Sequence, residues 1–484
     1  MNLRQKAFSG VRWTTLSSAG RAALQFLQVL VLSRLLAPSD FGLVALAVSM
    51  VAFLQIFADA GVSNAIIHQQ DISAEQISSL YWFNVASSAV LALLLVLISP
   101  LLSAWFGQPG LTPLLLLAAA TLIVTALAQQ LKIQAQKRLD FQSLAKVELI
   151  AAVCGFCAAV ALAWRGAGAQ SLMAGTLCTA LTGTLLAWLV LANGWRPQLR
   201  LQFKEIRQFI RFGLYMIGNN LANTFNSQID IFLGSKLLGA ASVGLYSVPK
   251  ELNLRIAGLI NPIITQVAFP IMAKAQDDEA QLRRIYLQIM RMTASVNFPI
   301  YVFMGVFASD IVALVLGPRW QDAVPLLQIL SVWALIRSTG NPVGGLLMAR
   351  GRADLSFRWN LAMLAVMPPA IWLGSHHGVT GMGHAMVGMM VLAFWPNWRY
   401  QVWPLCKAKF FEYSIQLIVP LLLAVTACAT AAGATGALDR PALRLPTGLL
   451  VAATVYLVLS HFFNKKWVDS IKLMLSSRIS KPGI

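Results

Sequence analysis

Charge is what this chain has least of. Only 11% of its 484 residues are Asp, Glu, Lys or Arg, where a soluble domain carries about 25%. That shortage excludes a water-soluble globule of this size. Acid is scarcer still, with 18 Asp and Glu against 37 Lys and Arg. Paired catalytic carboxylates on polar loops, the equipment of an integral glycosyltransferase or polymerase, are therefore absent, and no segment between apolar runs exceeds roughly twenty residues. Cysteine is limited to Cys154, Cys157, Cys178, Cys406 and Cys428, mostly in or beside apolar runs. Cys154-x-x-Cys157 falls in the middle of such a run and reads as small packing residues rather than a redox or metal pair. No phosphate-cradling Gly-x-x-x-x-Gly-Lys-Ser/Thr stretch occurs, which excludes ATP hydrolysis by this chain. His376, His377 and His384 cluster without acidic co-ligands, so they read as an interfacial loop; no metal and no cofactor is expected.

What fills the chain instead is hydrocarbon. Hydrophobic residues make up 58% and the mean hydropathy is +0.69, with long apolar runs such as 85–102, 114–127 and 417–432. A helix needs roughly 20 apolar residues to cross a bilayer, because in hydrocarbon the backbone must satisfy its own hydrogen bonds. Punctuation by Pro, Gly and charge gives fourteen spans, at 12–33, 41–66, 79–105, 111–132, 144–164, 169–193, 209–233, 242–273, 285–308, 323–349, 355–375, 379–403, 410–432 and 446–463. Twelve or thirteen are the competing counts. The expected fold is thus an all-α integral membrane protein.

The net charge of +19 invites a nucleic-acid reading, but its distribution argues against one. With a cytoplasmic N-terminus, alternate connections hold 26 of the 37 basic residues on the inside and six on the outside, with five within spans. Such an excess follows from membrane insertion and anionic lipid. Both termini are expected in the cytoplasm, and no cleavable signal is apparent in the long, Arg21-containing first span.

Two phrases repeat. SRLLAPSDFGL at 33–43 returns as SKLLGAASVGL at 235–245, and QKRLDF at 136–141 is echoed by RGRADL at 350–355. The first pair brackets an even number of spans, so both copies face one side, outside on the charge count. The second pair aligns Arg138 and Asp140 with Arg352 and Asp354 in inside loops. This implies two six-helix lobes related as a parallel repeat about an axis along the membrane normal. The boundaries expected are 1–195 for the first lobe, 196–208 for a cytoplasmic linker, 209–404 for the second lobe and 405–484 for two appended helices and a tail. Gly42 and Gly244 are expected as packing positions near the start of the second span of each lobe.

Polar residues in hydrocarbon are costly and tend to face a cavity or a partner. Asn219, Asn223, Asn226 and Asp230 are spaced as one stripe on a helix, and the 202-residue offset maps them onto Ser17, Arg21, Leu24 and Gln28. Amide bridges between helices are one reading of such residues; two matching stripes favour a shared wet cleft. Lys250, Arg255 and Arg337 add cations, Glu251 stands four residues before Arg255, and Asp59 adds an acid. A cleft with more cations than acids suits an anionic headgroup, and Arg suits phosphate.

The stretches LRQKAFSGVRW, LSRLLAPSDFGLVALA, FADAGVSNAIIHQQDIS, LYWFNV, NPIITQVAFPIMAKAQDD, VNFPI and IRSTGNPVGGLLMARGRADLSFRWN resemble the Wzx-type polysaccharide flippases, in the manner of the colanic acid exporter branch, over roughly residues 3–405. The resemblance implies membership of the multidrug/oligosaccharidyl-lipid/polysaccharide superfamily. It implies translocation of an undecaprenyl-pyrophosphate-linked oligosaccharide across the bacterial inner membrane for exopolysaccharide or lipopolysaccharide assembly. On that footing Arg21, Lys250, Arg255 and Arg337 attract pyrophosphate, while Gln28 and the Asn stripe bind sugar hydroxyls. Asp59 or Asp230 takes a coupling ion, H+ or Na+, and the repeated turns at 33–43, 235–245, 132–143 and 350–358 work as gates. Membrane lipids are partners, and a polysaccharide polymerase and chain-length regulator are candidates. A multidrug or cation antiporter of the same superfamily, or a non-transporting membrane enzyme or scaffold, are the alternatives; an antiporter calls for a carboxylate-rich cavity.

Overall fold

A computed structural model describes residues 3–59, 72–199, 202–465 and 467–469. All regular structure among these residues is helical. Among the described residues the helices of ten residues or more are, in order, α1 Leu3–Leu35, α2 Pro38–Asp59, α3 Ala74–Phe106, α4 Leu111–Lys137, α5 Phe141–Trp164, α6 Ala169–Leu186, α7 Phe203–Lys274, α8 Glu279–Val306, α9 Val324–Ser338, α10 Gly340–Ala349, α11 Ala353–Ser375, α12 Gly378–Asn397, α13 Phe410–Ala434 and α14 Pro441–Phe463. Short π-helical segments, Ala187–Leu191 and Trp398–Val402, continue α6 and α12.

Eleven stretches among the described residues are long and apolar enough to cross a membrane, so the chain is a multi-pass membrane protein. The difference from fourteen has local causes. α1 carries Arg12, Arg21 and Arg34, and α11 carries Asp354 and Arg358, so neither reaches that apolarity. The expected seventh and eighth spans run together in α7, where only Gly239 leaves helical geometry (φ 79°, ψ 173°). A positive φ is available to Gly at no steric cost, so the chain reverses there without a loop. The reversal is sharp. Asp230 and Tyr246, about 24 Å apart on a straight helix, are hydrogen-bonded at 2.6 Å.

Two compact units divide the chain, residues 1–247 and 248–484. The first includes α7 up to Ser247, whereas the sequence placed 209–247 in the second lobe. That part of α7 docks on the first unit through local contacts. Gln228 accepts a hydrogen bond from Ser49 at 2.9 Å, Phe225 and Phe232 meet Phe53 edge-on, and Lys236 donates to the Trp105 carbonyl. The segment between α6 and α7 is held to the first unit by α3. Trp82 donates to Gln198 O at 2.8 Å, and the Ser78 and Ser79 hydroxyls accept from the Gln198 and Gln202 amides.

In the second unit, α13 and α14 are stitched into the core rather than appended. Tyr413 and Ala424 on α13 are fully buried in a cluster with Tyr286, Met290 and Phe298 of α8. Tyr456 on α14 donates to Ser295 O at 2.8 Å, and Asn464 bridges Ser295 Oγ and Arg291. Helix ends carry their own polar satisfaction: Ser73 and Gln76 form a reciprocal cap on α3, and Asp278 caps α8. Large apolar side chains such as Leu97, Leu101, Leu189 and Leu392 point outward, as lipid demands and water forbids.

Candidate polar sites within the membrane helices

Three helices of the first unit bring charge together. Arg21 on α1 pairs with Glu148 on α5, Nη1 to Oε2 at 3.0 Å. Lys132 on α4 lies within the electrostatic reach of both, and its Nζ approaches the backbone of α6 near Gly183. Two cations around one carboxylate leave one positive charge in excess. Several donors nearby in sequence are buried without a hydrogen-bond partner: Arg21 Nε, and the Gln130 and Gln134 side-chain amides on α4. Buried donors without acceptors cost about 1–3 kcal/mol each. Sequence reasoning missed Glu148 and Lys132. Glu148 was the one acid in the fifth span, a usable signal, and Lys132 was counted with a loop that α4 extends to include.

The polar stripe of α7 is less uniform than its spacing implied. Asn223 is exposed, Asn226 half-buried and Asp230 fully buried. Asp230 accepts from the Tyr246 hydroxyl at 2.6 Å and from the Ile231 amide at 3.0 Å. A carboxylate out of water needs such donors, and the Gly239 reversal delivers one. Asp230 therefore faces protein, not an open cleft. Gln28 is half-buried on α1. The side chains of Asn219 and Asp59 lie outside the described residues, as does most of the FADAGVSNAIIHQQDIS stretch.

In the second unit, Lys250 is buried, and Arg255 pairs with Glu251 one turn earlier at 3.1 Å, the geometry their i,i+4 spacing favours. Arg337 stacks over the Trp333 ring at 5.3 Å to its centroid. Tyr301 lies within reach of the Arg337 charge, and its hydroxyl is buried without a hydrogen-bond partner.

The repeated loops are equivalent with a shift of two residues from the alignment above. Arg138 closes α4, Leu139 takes a positive φ of 59°, and Asp140 caps α5 by accepting from Ser143 N at 3.2 Å. Arg350 closes α10, Gly351 takes φ 64°, and Arg352 stands at the cap of α11. Arg138 thus corresponds to Arg350, not Arg352. Their bonds agree: Arg138 donates to Leu191 O at 2.7 Å, and Arg350 donates twice to Leu405 O at 3.0 and 2.9 Å. Leu191 is the last residue of one π-helical segment, and Leu405 lies in the short helix Trp403–Cys406 that follows the other. Arg352 instead grips Asp354 with two bonds of 2.7 and 2.9 Å, a local pair that happens to copy the Arg-x-Asp spelling.

Long apolar helices in series, with cations set among them, define a multi-pass membrane protein. Comparisons with known proteins agree. Residues 31–325 match the family described as polysaccharide biosynthesis protein. The chain is 29% identical over 426 residues to the lipopolysaccharide biosynthesis protein WzxC of Escherichia coli strain K12, covering 88% of this chain and 87% of that protein. It is 31% identical over 392 residues to an uncharacterized membrane protein in the cps region of Klebsiella pneumoniae, covering 81% and 80%. Among solved structures, the lipid II flippase MurJ in an inward closed conformation superposes with a TM-score of 0.76 at 12% identity, over 95% of this chain and 100% of that one; this likeness is one of fold. The chain belongs to the polysaccharide biosynthesis protein family.

Proposed function

We propose that this protein is a flippase that carries an undecaprenyl-pyrophosphate-linked oligosaccharide across the bacterial inner membrane by alternating access, with both termini in the cytoplasm. The observation that carries the reading is the excess of cations over acids inside the membrane helices, centred on Arg21, Lys132 and Glu148. A pyrophosphate is the anion that such a site, in a family named for polysaccharide biosynthesis, has reason to meet. The Glu148 partner keeps Arg21 soluble in the empty site, and phosphate oxygens replace it on binding, a trade that Arg geometry makes easy. Lys250, Arg255 and Arg337 are the second unit's own cations for an anionic headgroup, while in the first unit Gln28, Asn219, Asn223 and Asn226 receive sugar hydroxyls. A proton or sodium ion acts at Asp230 or Asp59. A carboxylate-rich site, the mark of a cation antiporter, is not what Arg21 and Lys132 build.

The test is genetic and chemical. In a strain lacking its own exporter of a matched repeat unit, the wild-type chain is expected to restore surface polysaccharide. Arg21→Ala is expected to leave lipid-linked repeat units accumulating, at least tenfold above wild type (about 1.4 kcal/mol of lost interaction). Equal accumulation with and without the wild-type chain rules the reading out.

A further inference from the structure

The second unit carries an open groove of about 740 Å³ between α11 and α12. Its construction is specific. At the hairpin end the two backbones meet: a Cβ on Gly374 would lie 2.6 Å from both Gly381 O and Ala385 Cβ. Pro368 and Pro369 then interrupt α11, and Pro396 and the π-helical turn interrupt α12. Prolines bend helices by removing a backbone bond, and small wall residues, Ala362, Ala370 and Ala393, leave the resulting gap unfilled. Nothing lies within 4 Å of a Cβ built on Gly388.

The groove is apolar except at the end away from the hairpin, where Arg358, Tyr400 and Gln401 line it. Arg358 is exposed there. Asp354, the acid one turn before it, is already gripped by both prongs of Arg352. The wall runs on α11 from Leu355 to Gly374, about 28 Å at the helical rise. A bilayer's hydrocarbon is about 30 Å thick, so one leaflet is about 15 Å. A phospholipid acyl chain anchored at Arg358 ends near the middle of such a groove. A long isoprenoid runs its whole length, and Met363 and Met389 provide pliable walls for its branch methyls.

We propose that this groove holds the isoprenoid chain of a polyprenyl phosphate, with the phosphate at Arg358. The assignment rests on the flippase reading for its biological sense and deepens it.

The experiment uses the full chain in nanodiscs of zwitterionic lipid, with retained lipid counted by native mass spectrometry. The probes are undecaprenyl phosphate, farnesyl phosphate and phosphatidylglycerol. Wild type is expected to retain undecaprenyl phosphate at least tenfold over the other two (about 1.4 kcal/mol). Gly388→Phe, which fills the open lane, is expected to lose at least tenfold, Arg358→Gln several-fold, and Gly388→Ala nothing. Arg358 is exposed, so its variant decides the matter even if Gly388→Phe fails to fold. Phosphatidylglycerol binding equally well, Arg358→Gln binding as wild type, or a folded Gly388→Phe binding as wild type each overturns the groove assignment. Translocation measured on the same variants separates the two readings. Unchanged binding with intact flipping sinks the groove alone; specific binding by a wild-type chain that never flips sinks the flippase alone.

Discussion

Gly42 on α2 and Gly244 on α7, 202 residues apart in the chain, hold their helices in backbone contact. A Cβ on Gly42 would lie 2.8 Å from Gly244 N and collide with the Ala240 carbonyl; one on Gly244 would lie 3.1 Å from Gly42 N and collide with the Pro38 carbonyl. The contact is reciprocal, since Pro38 and Ala240 are also 202 apart, so the repeat in the sequence is a repeat in space that touches itself.

Even one methyl at this contact therefore has nowhere to go. Gly42→Ala and Gly244→Ala are each expected to destabilise by about 1–3 kcal/mol, the usual cost of overpacking. Thermal unfolding in detergent checks this, with Gly218→Ala, where a Cβ meets open space, as the variant that should cost nothing by collision. If the repeated turns are a gate, both contact variants also disfavour the closed face, and labelling of a cysteine introduced at Ser39 should rise in them.

Tyr246→Phe removes the hydroxyl that Asp230 accepts from at 2.6 Å. A buried carboxylate that loses a donor is expected to cost about 1–3 kcal/mol. Once Asp230→Ala has removed the acceptor, Tyr246→Phe should cost clearly less than it does in wild type. The comparison is read as unfolding midpoints, and an equal cost of Tyr246→Phe in both backgrounds contradicts the assigned bond.

The shifted register of the inner loops predicts a ranking. Arg138→Ala and Arg350→Ala each release bonds to the helix end of their repeat and should each cost about 1 kcal/mol or more. Arg352→Ala loses only an exposed pair, worth little in water. A midpoint lower in Arg352→Ala than in Arg350→Ala would restore the alignment by spelling.

That same exposed pair fixes a pH expectation. The hydrogen bonds from Arg352, with the guanidinium charges of Arg352 and Arg358, hold the Asp354 carboxyl at about 2, below its usual 3.8. A lowered folded pKa contributes stability that is complete above the unfolded value and is lost as pH falls from about 4 through about 2. The difference in unfolding midpoint between wild type and Asp354→Asn should thus be the same at about pH 5 and about pH 8. A difference that changes between them means that Asp354 titrates elsewhere.

Membrane character, helix order and the repeat were legible because hydrocarbon imposes them on composition and spacing. What escaped was where helices meet each other. Gly239 reads as a loop residue in a span-by-span scan, since nothing local tells a connecting loop from a reversal inside one long helix. Asp230 reads as cavity-facing because its own helix shows it beside asparagines; its partner Tyr246 comes from beyond the reversal. Arg352-x-Asp354 matches Arg138-x-Asp140 in letters, yet the cap positions and carbonyl acceptors, which exist only in the fold, pair Arg138 with Arg350. Arg21 was found as a lone cation, and Glu148 and Lys132, supplied by two other helices, make it part of a charge cluster.

The central claim is translocation of a polyprenyl-linked sugar driven through a cationic membrane site. The direct measurement reconstitutes the purified chain in liposomes with a fluorescent undecaprenyl-pyrophosphate oligosaccharide and follows its quenching by a membrane-impermeant reagent. The account predicts rapid loss of the protected pool with wild type and at least tenfold slower loss with Arg21→Ala, about 1.4 kcal/mol. A wild-type rate equal to that of protein-free liposomes contradicts it.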